Sequence, residues 1–82
     1  MTSRQRLKII SRLEDLLERK KINEHQRDVY LFFRNIYGKK HRTLAEVGEH
    51  YSISRERCRQ IVMRVQNELD AEIKFLRDIQ SH

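Results

Sequence analysis

Residues 43–61, T-L-A-E-V-G-E-H-Y-S-I-S-R-E-R-C-R-Q-I, constrain the fold of this chain more than any other stretch. Thr43 followed three residues later by Glu46 has the form of a capping box, so a helix is expected to begin there. Its apolar side is Leu44, Val47 and Tyr51. Gly48 falls inside that helix, where glycine costs ~1 kcal/mol relative to alanine, so another backbone is expected to come close to it. Ser52-Ile53-Ser54 interrupts the period, and Ser54 is a good N-cap for a new helix. From there Cys58, Ile61, Val62 and Val65 share one face at i, i+3, i+4, i+7 spacing. A short helix, a tight turn with one apolar residue and a second helix make a helix-turn-helix. Ser52 stands where such turns favour a left-handed glycine, a conformation that costs a serine on the order of 1 kcal/mol.

The second helix turns a distinctive row of side chains outward. At about 100° per residue, Glu56, Arg59, Gln60 and Met63 lie opposite the apolar face, with Arg55 and Arg57 beside them in the first turn. Arginine can bond a guanine edge through two N–H groups, glutamine an adenine, and glutamate can accept from the cytosine amine. A recognition helix needs such groups at the end that enters the major groove. A solvated charged face is the plainer alternative, and the upstream turn argues against it by fixing which end of the helix is presented.

These residues resemble a known family. S-R-E-R-x-R-Q-I after T-L-x-E-V-G is similar to the signature of region 4 of bacterial sigma factors of the sigma-70 class, which reads the −35 promoter element. The likeness runs from about Arg27 to Leu69 and is closest over residues 54–61, where Cys58 replaces an aliphatic. R-N-I-Y-G at residues 34–38 is similar to the family's R-x-R-Y/F-G, with Ile36 in place of the second basic residue. The resemblance implies that Arg55, Glu56 and Gln60 read bases and that Arg59 meets a base or a phosphate. It also places Thr43, Leu44 and the adjoining helix N-terminus on phosphate. Arg34, Lys39, Lys40, Arg42 and Arg57 complete the candidate phosphate set. The preceding helix, through Tyr30, Phe33 and Tyr37, would hold the flap of the RNA polymerase β subunit.

The remaining sequence is expected to build an all-α domain around this motif. In 82 residues there is no proline and there are only two glycines, while apolar and charged residues are nearly balanced at 38% and 37%. Residues 1–22 should form an N-terminal amphipathic helix, helical over 3–21, with a stripe of Leu7, Ile10, Leu13 and Leu17 widened by Ile9 and Leu16. That stripe needs a cover: the rest of the domain, a partner, or a second copy in a homodimer joined through the terminal helices. Residues 23–38 should form the core helix, opened by an Asn23/Gln26 capping box, helical over 24–37 and closed by Gly38. Residues 43–79 hold the helix-turn-helix with an extended recognition helix, its apolar period continuing through Leu69, Ile73, Leu76 and Ile79. The whole, residues 1–82, is expected to be a single domain.

Charge and cysteine usage narrow the function. The net charge is +6, distributed as +4 over residues 1–22, +3 over 23–42, zero over 43–60 and −1 over 61–82. The excess precedes the motif, where it can supply sequence-independent phosphate attraction. A single cysteine and the lack of a signal peptide or long apolar run point to a cytoplasmic protein with no membrane role. His25, His41, His50 and His82 are scattered, none pairs with Cys58 at metal-ligand spacing, and no phosphate-binding glycine loop is present. No metal site, no cofactor and no enzyme are therefore expected. The function expected is a sequence-specific, double-stranded-DNA-binding transcription regulator resembling sigma region 4. The chain is too short to include the family's region 2 and so is not expected to act as a complete sigma factor. Two alternatives stand beside it: a dimeric helix-turn-helix regulator independent of polymerase, and a protein-binding adaptor that no longer reads DNA.

Overall fold

The computed structural model describes residues 2–80, with side chains through Glu72. Four helices follow one another: α1 (Ser3–Glu18), α2 (Glu24–Arg34), α3 (Leu44–Tyr51) and α4 (Arg55–Gln80). Every regular element among the described residues is helical.

Side-chain oxygens start all four helices. Asn23 accepts from the Gln26 amide at 2.8 Å, and the Gln26 side chain accepts the Asn23 amide at 3.0 Å. Thr2 and Gln5 make the same reciprocal pair at the start of α1. Ser54 accepts from the Arg57 amide at 3.0 Å and opens α4. Thr43 caps α3 by accepting from the Glu46 amide at 3.1 Å. The return bond from the Glu46 carboxylate is not made, so only half of the expected capping box forms.

The first three helices end on non-glycine residues in the left-handed region, at Lys20 (φ 62°), Asn35 (φ 49°) and Ser52 (φ 56°). At the end of α1 the Lys21 and Lys20 amides bond back to the carbonyls of Leu16 and Leu17. At the end of α3 Ile53 and Ser52 bond to Gly48 and Glu49 in the same way. Both are the paired bonds that satisfy orphan carbonyls at a helix end. Helix α2 departs from expectation. It stops at Arg34 rather than near residue 37, and Asn35, not Gly38, takes the left-handed position. Asparagine tolerates that region because its side chain bonds locally, here from Nδ2 to the Lys40 carbonyl at 3.0 Å. Gly38 serves a different need, since a Cβ there would lie 2.2 Å from Asn35 Nδ2.

Two apolar clusters share α2 and α4 as common walls. Val29, Val47, Cys58 and Ile61 form the helix-turn-helix core, with Leu44 and Ile53 packed against it. Leu13, Leu16, Ile22, Tyr30, Val65 and Leu69 form the second, beneath α1. Adjacent residues of α2, Val29 and Tyr30, thus point into different clusters, which is why the helix is apolar nearly all round. The stripe of α1 is covered within the chain by Ile9, Leu13, Leu16 and Leu17 packing on α2 and α4. Leu7 departs from it, at 67% exposed. The expected continuation through Ile73, Leu76 and Ile79 lies outside the described side chains.

Gly48 has the close neighbour its position implied. A Cβ there would stand 2.8 Å from the Ile53 carbonyl oxygen, a backbone atom with little freedom to move. Gly48→Ala should therefore destabilise the domain despite the ~1 kcal/mol that alanine adds to a helix. A lowered urea midpoint is the expected reading, and a raised one would show that the turn relaxes freely.

Candidate nucleic-acid interface

Gly48 and left-handed Ser52 together fix how α3 meets α4. With no side chain at Gly48, the turn folds back until the Ile53 amide reaches the Gly48 carbonyl at 2.9 Å. Ile53 then packs against the core, and Cys58 and Ile61 are fully covered. Burial of these positions leaves Arg55, Glu56, Arg57, Arg59, Gln60 and Met63 as the exposed face of the first turns of α4. Burial also pushes the Cys58 thiol above its ordinary pKa, as befits a small core residue.

The exposed face is internally organised. Glu56 holds Arg59 through both carboxylate oxygens, the Nε bond measuring 2.9 Å, while Arg59 Nη1 donates to the Met63 sulfur at 3.0 Å. Hydrogen bonding from Arg59 keeps the Glu56 carboxyl below the usual glutamate range, so it stays an acceptor at neutral pH. Arg55 and Arg57 have no ion-pair partner among the described residues. The row therefore contains a bound Glu–Arg pair beside uncommitted Arg55 and exposed Gln60.

The phosphate candidates divide. Lys39, Lys40 and Thr43 are exposed on the approach to α3. Arg42 instead turns inward: Nη1 donates to the Phe32 carbonyl at 2.6 Å, the guanidinium lies 3.9 Å over the Phe32 ring, and its amide bonds to the Phe33 carbonyl. It ties the loop to the end of α2, where the last carbonyls of the helix need donors. Arg34 stands half-buried with its guanidinium 5.9 Å over the Tyr30 ring. Leu44 sends its side chain into the core, leaving its backbone at the N-terminus of α3.

The partner candidates divide as well. Tyr30 is buried, its hydroxyl donating to Gln66 Oε1 at 2.6 Å, so it offers no surface to another protein. Phe33 is half-buried against the helix-turn-helix core and stacks on His41. Tyr37 alone of the three is open, at 75% exposed, with the Arg6 guanidinium 5.0 Å over its ring. The Arg6 Nε also donates to the Ile36 carbonyl at 2.9 Å, which joins α1 to the loop after α2. That link was not foreseen; only the run of cations in the first half of α1 hinted at it.

Residues 20–69, from the end of α1 to the middle of α4, match the family model described as sigma-70, region 4. The chain belongs to the sigma-70 region 4 family. Members are DNA-binding helix-turn-helix domains of sigma factors and transcription regulators, and in this region 4 domain α3 and α4 are the two helices of that motif. No curated protein and no solved structure matches the chain. Helix α1 lies outside the family match, although the region 4 core beneath it is closed by Leu13 and Leu16. Among the described residues no helix is long and apolar enough to cross a membrane.

Proposed function

We propose that this region 4 domain is a cytoplasmic, sequence-specific transcription regulator that reads −35-type promoter DNA with the first turns of α4. Arg55, Glu56, Arg59 and Gln60 face the bases, and Arg57, Lys39, Lys40 and the N-terminus of α3 at Thr43 and Leu44 hold the flanking backbone. The observation that carries this reading is the exposure of that whole row above a buried Cys58 and Ile61 on the helix that the motif presents. The open ring of Tyr37, on a turn at the opposite end of α2 from Asn23, supports a contact with the polymerase β flap.

Selection from a random pool of duplexes tests the reading. Enrichment of one short, asymmetric element bound by a monomer is expected. An enriched palindrome bound by two copies would favour the dimeric regulator, and no enrichment would remove DNA reading. Core RNA polymerase retained by the wild-type domain and lost with Tyr37→Ala would support the flap contact.

A further inference from the structure

The net positive charge of this chain comes from two segments. Residues 3–12 and 34–42 contain eight of its eighteen Lys and Arg and none of its twelve Asp and Glu, so everything else is net −2. The fold brings the two segments together across one groove of about 710 Å³. Its rim carries Lys8 and Arg12 from α1 and Arg34, Lys39, Lys40 and His41 from the end of α2 and the loop beyond, with no carboxylate among its lining residues. Outside these segments Arg27 is paired with Glu14 and Asp28, Arg59 with Glu56 and Arg64 with Glu68, while Arg55 and Arg57 stand unpaired among the described residues on the reading face. Lys8, Arg12, Lys39 and Lys40 have no such partner among the described residues. Like charges gathered without counter-charges repel one another, and the arrangement is stabilised when a polyanion binds.

We propose that this groove is a second track for the DNA backbone, with Lys8 and Arg12 of α1 extending the phosphate contacts beyond the helix-turn-helix. The inference rests on the reading of duplex DNA above. Continuity favours DNA as the occupant: Lys39 and Lys40 belong both to the rim and to the loop that runs into the cap of α3. Lys8 and Arg12 are one helical turn apart, about 6 Å along the axis, and Arg4 continues the row by another turn. The floor argues against an amphipathic protein segment. Its Tyr30 and Leu69 are buried core side chains, Ile9 and Phe33 are half-buried against the two clusters, and the exposed large apolar residues, Leu7, Tyr37 and Met63, do not line it. Backbone contacts of this kind add affinity for any sequence and position the reading helix without carrying sequence information.

The test is the salt dependence of binding to a 40-base-pair random-sequence duplex, which needs no knowledge of the target site. Each phosphate contact contributes ~0.9 to the slope of log affinity against log salt, so Lys8→Ala/Arg12→Ala should make it shallower by about 1.8. Lys8→Arg/Arg12→Lys should retain the parental slope. Arg19→Ala/Lys21→Ala, which removes the same charge at the other end of α1, should also retain it. On a duplex carrying the selected element, hydroxyl-radical footprints of the Lys8/Arg12 variant should lose protection on one flank only. An unchanged slope overturns the proposal, as does an equal change in the Arg19/Lys21 pair. Loss of binding to a polyglutamate peptide with DNA binding intact would overturn it in favour of an acidic protein partner. A shallower slope in a protein that selects no DNA element would uphold the track and refute reading by α4, so the two failures are distinct.

Discussion

Arg55→Ala and Gln60→Ala should each weaken binding to the selected duplex by ~1–3 kcal/mol while leaving random-sequence binding nearly unchanged. The reason lies in the state of these side chains before DNA arrives. Arg55 is exposed and carries no ion pair among the described residues, so its fork of donors is available without breaking another contact. Gln60 lies one turn beyond Glu56, to whose carboxylate its side-chain amide donates, and on the exposed surface of α4 it can turn its amide donor and acceptor to an adenine edge. Arg59 differs because its Nε and one terminal nitrogen are already held by Glu56. Removing Arg59 also releases Glu56, so the effects of Glu56→Gln and Arg59→Ala should not add, whereas those of Arg55→Ala and Glu56→Gln should come closer to additivity. Competition binding against single-base variants of the selected site provides the measurement. Parental base preferences in both the Arg55 and Gln60 variants would refute direct readout by α4.

The helix-turn-helix was legible because its signals are local. A cap, a misplaced glycine, a broken period and a second cap all lie within 19 residues of one another, and each dictates backbone geometry directly. Ser52 shows how far this goes: its left-handed φ of 56° follows from where the turn must reverse. The end of α2 was less legible because two residues competed for one role. Gly38 is the better left-handed residue in isolation, but Asn35 can bond Lys40 through its side chain, and Gly38 is then needed to make room for it. The inward turn of Arg42, and which way Tyr30 faces from the core helix, were invisible for a different reason. A basic residue in a loop and an aromatic in an apolar helix carry no sign of direction, and only the packing of α1 and the closure of the loop supply one. Charge told part of the story of α1, showing that it is basic but not that its cations meet those of a loop some thirty residues on.

Leu13→Ala should be the most damaging single truncation in α1, costing ~2–5 kcal/mol, whereas Leu7→Ala should fall within ~0.5 kcal/mol of the parent. Both leucines belong to the same apolar period, so the contrast isolates packing from pattern. Leu13 is fully buried among Tyr30, Val65 and Leu69, while Leu7 is 67% exposed. At roughly 0.05–0.15 kcal/mol per residue, a domain of 82 residues has little stability to spare against a loss of that size. With a urea slope of ~1 kcal/mol/M for a small domain, the midpoint of Leu13→Ala should fall by about 2 M or more. The same argument predicts that residues 20–82, which keep the whole family match, cannot hold the region 4 fold alone. Removing α1 uncovers Tyr30, Val65 and Leu69 together and leaves the Gln66 bond to Tyr30 open to water. That fragment should lose near-ultraviolet tyrosine circular dichroism while retaining far-ultraviolet helical signal, the mark of a collapsed chain without fixed packing. A fragment that melts cooperatively at the parental midpoint would show that α1 rides on a core complete without it, and Leu13→Ala would then be expected to do little.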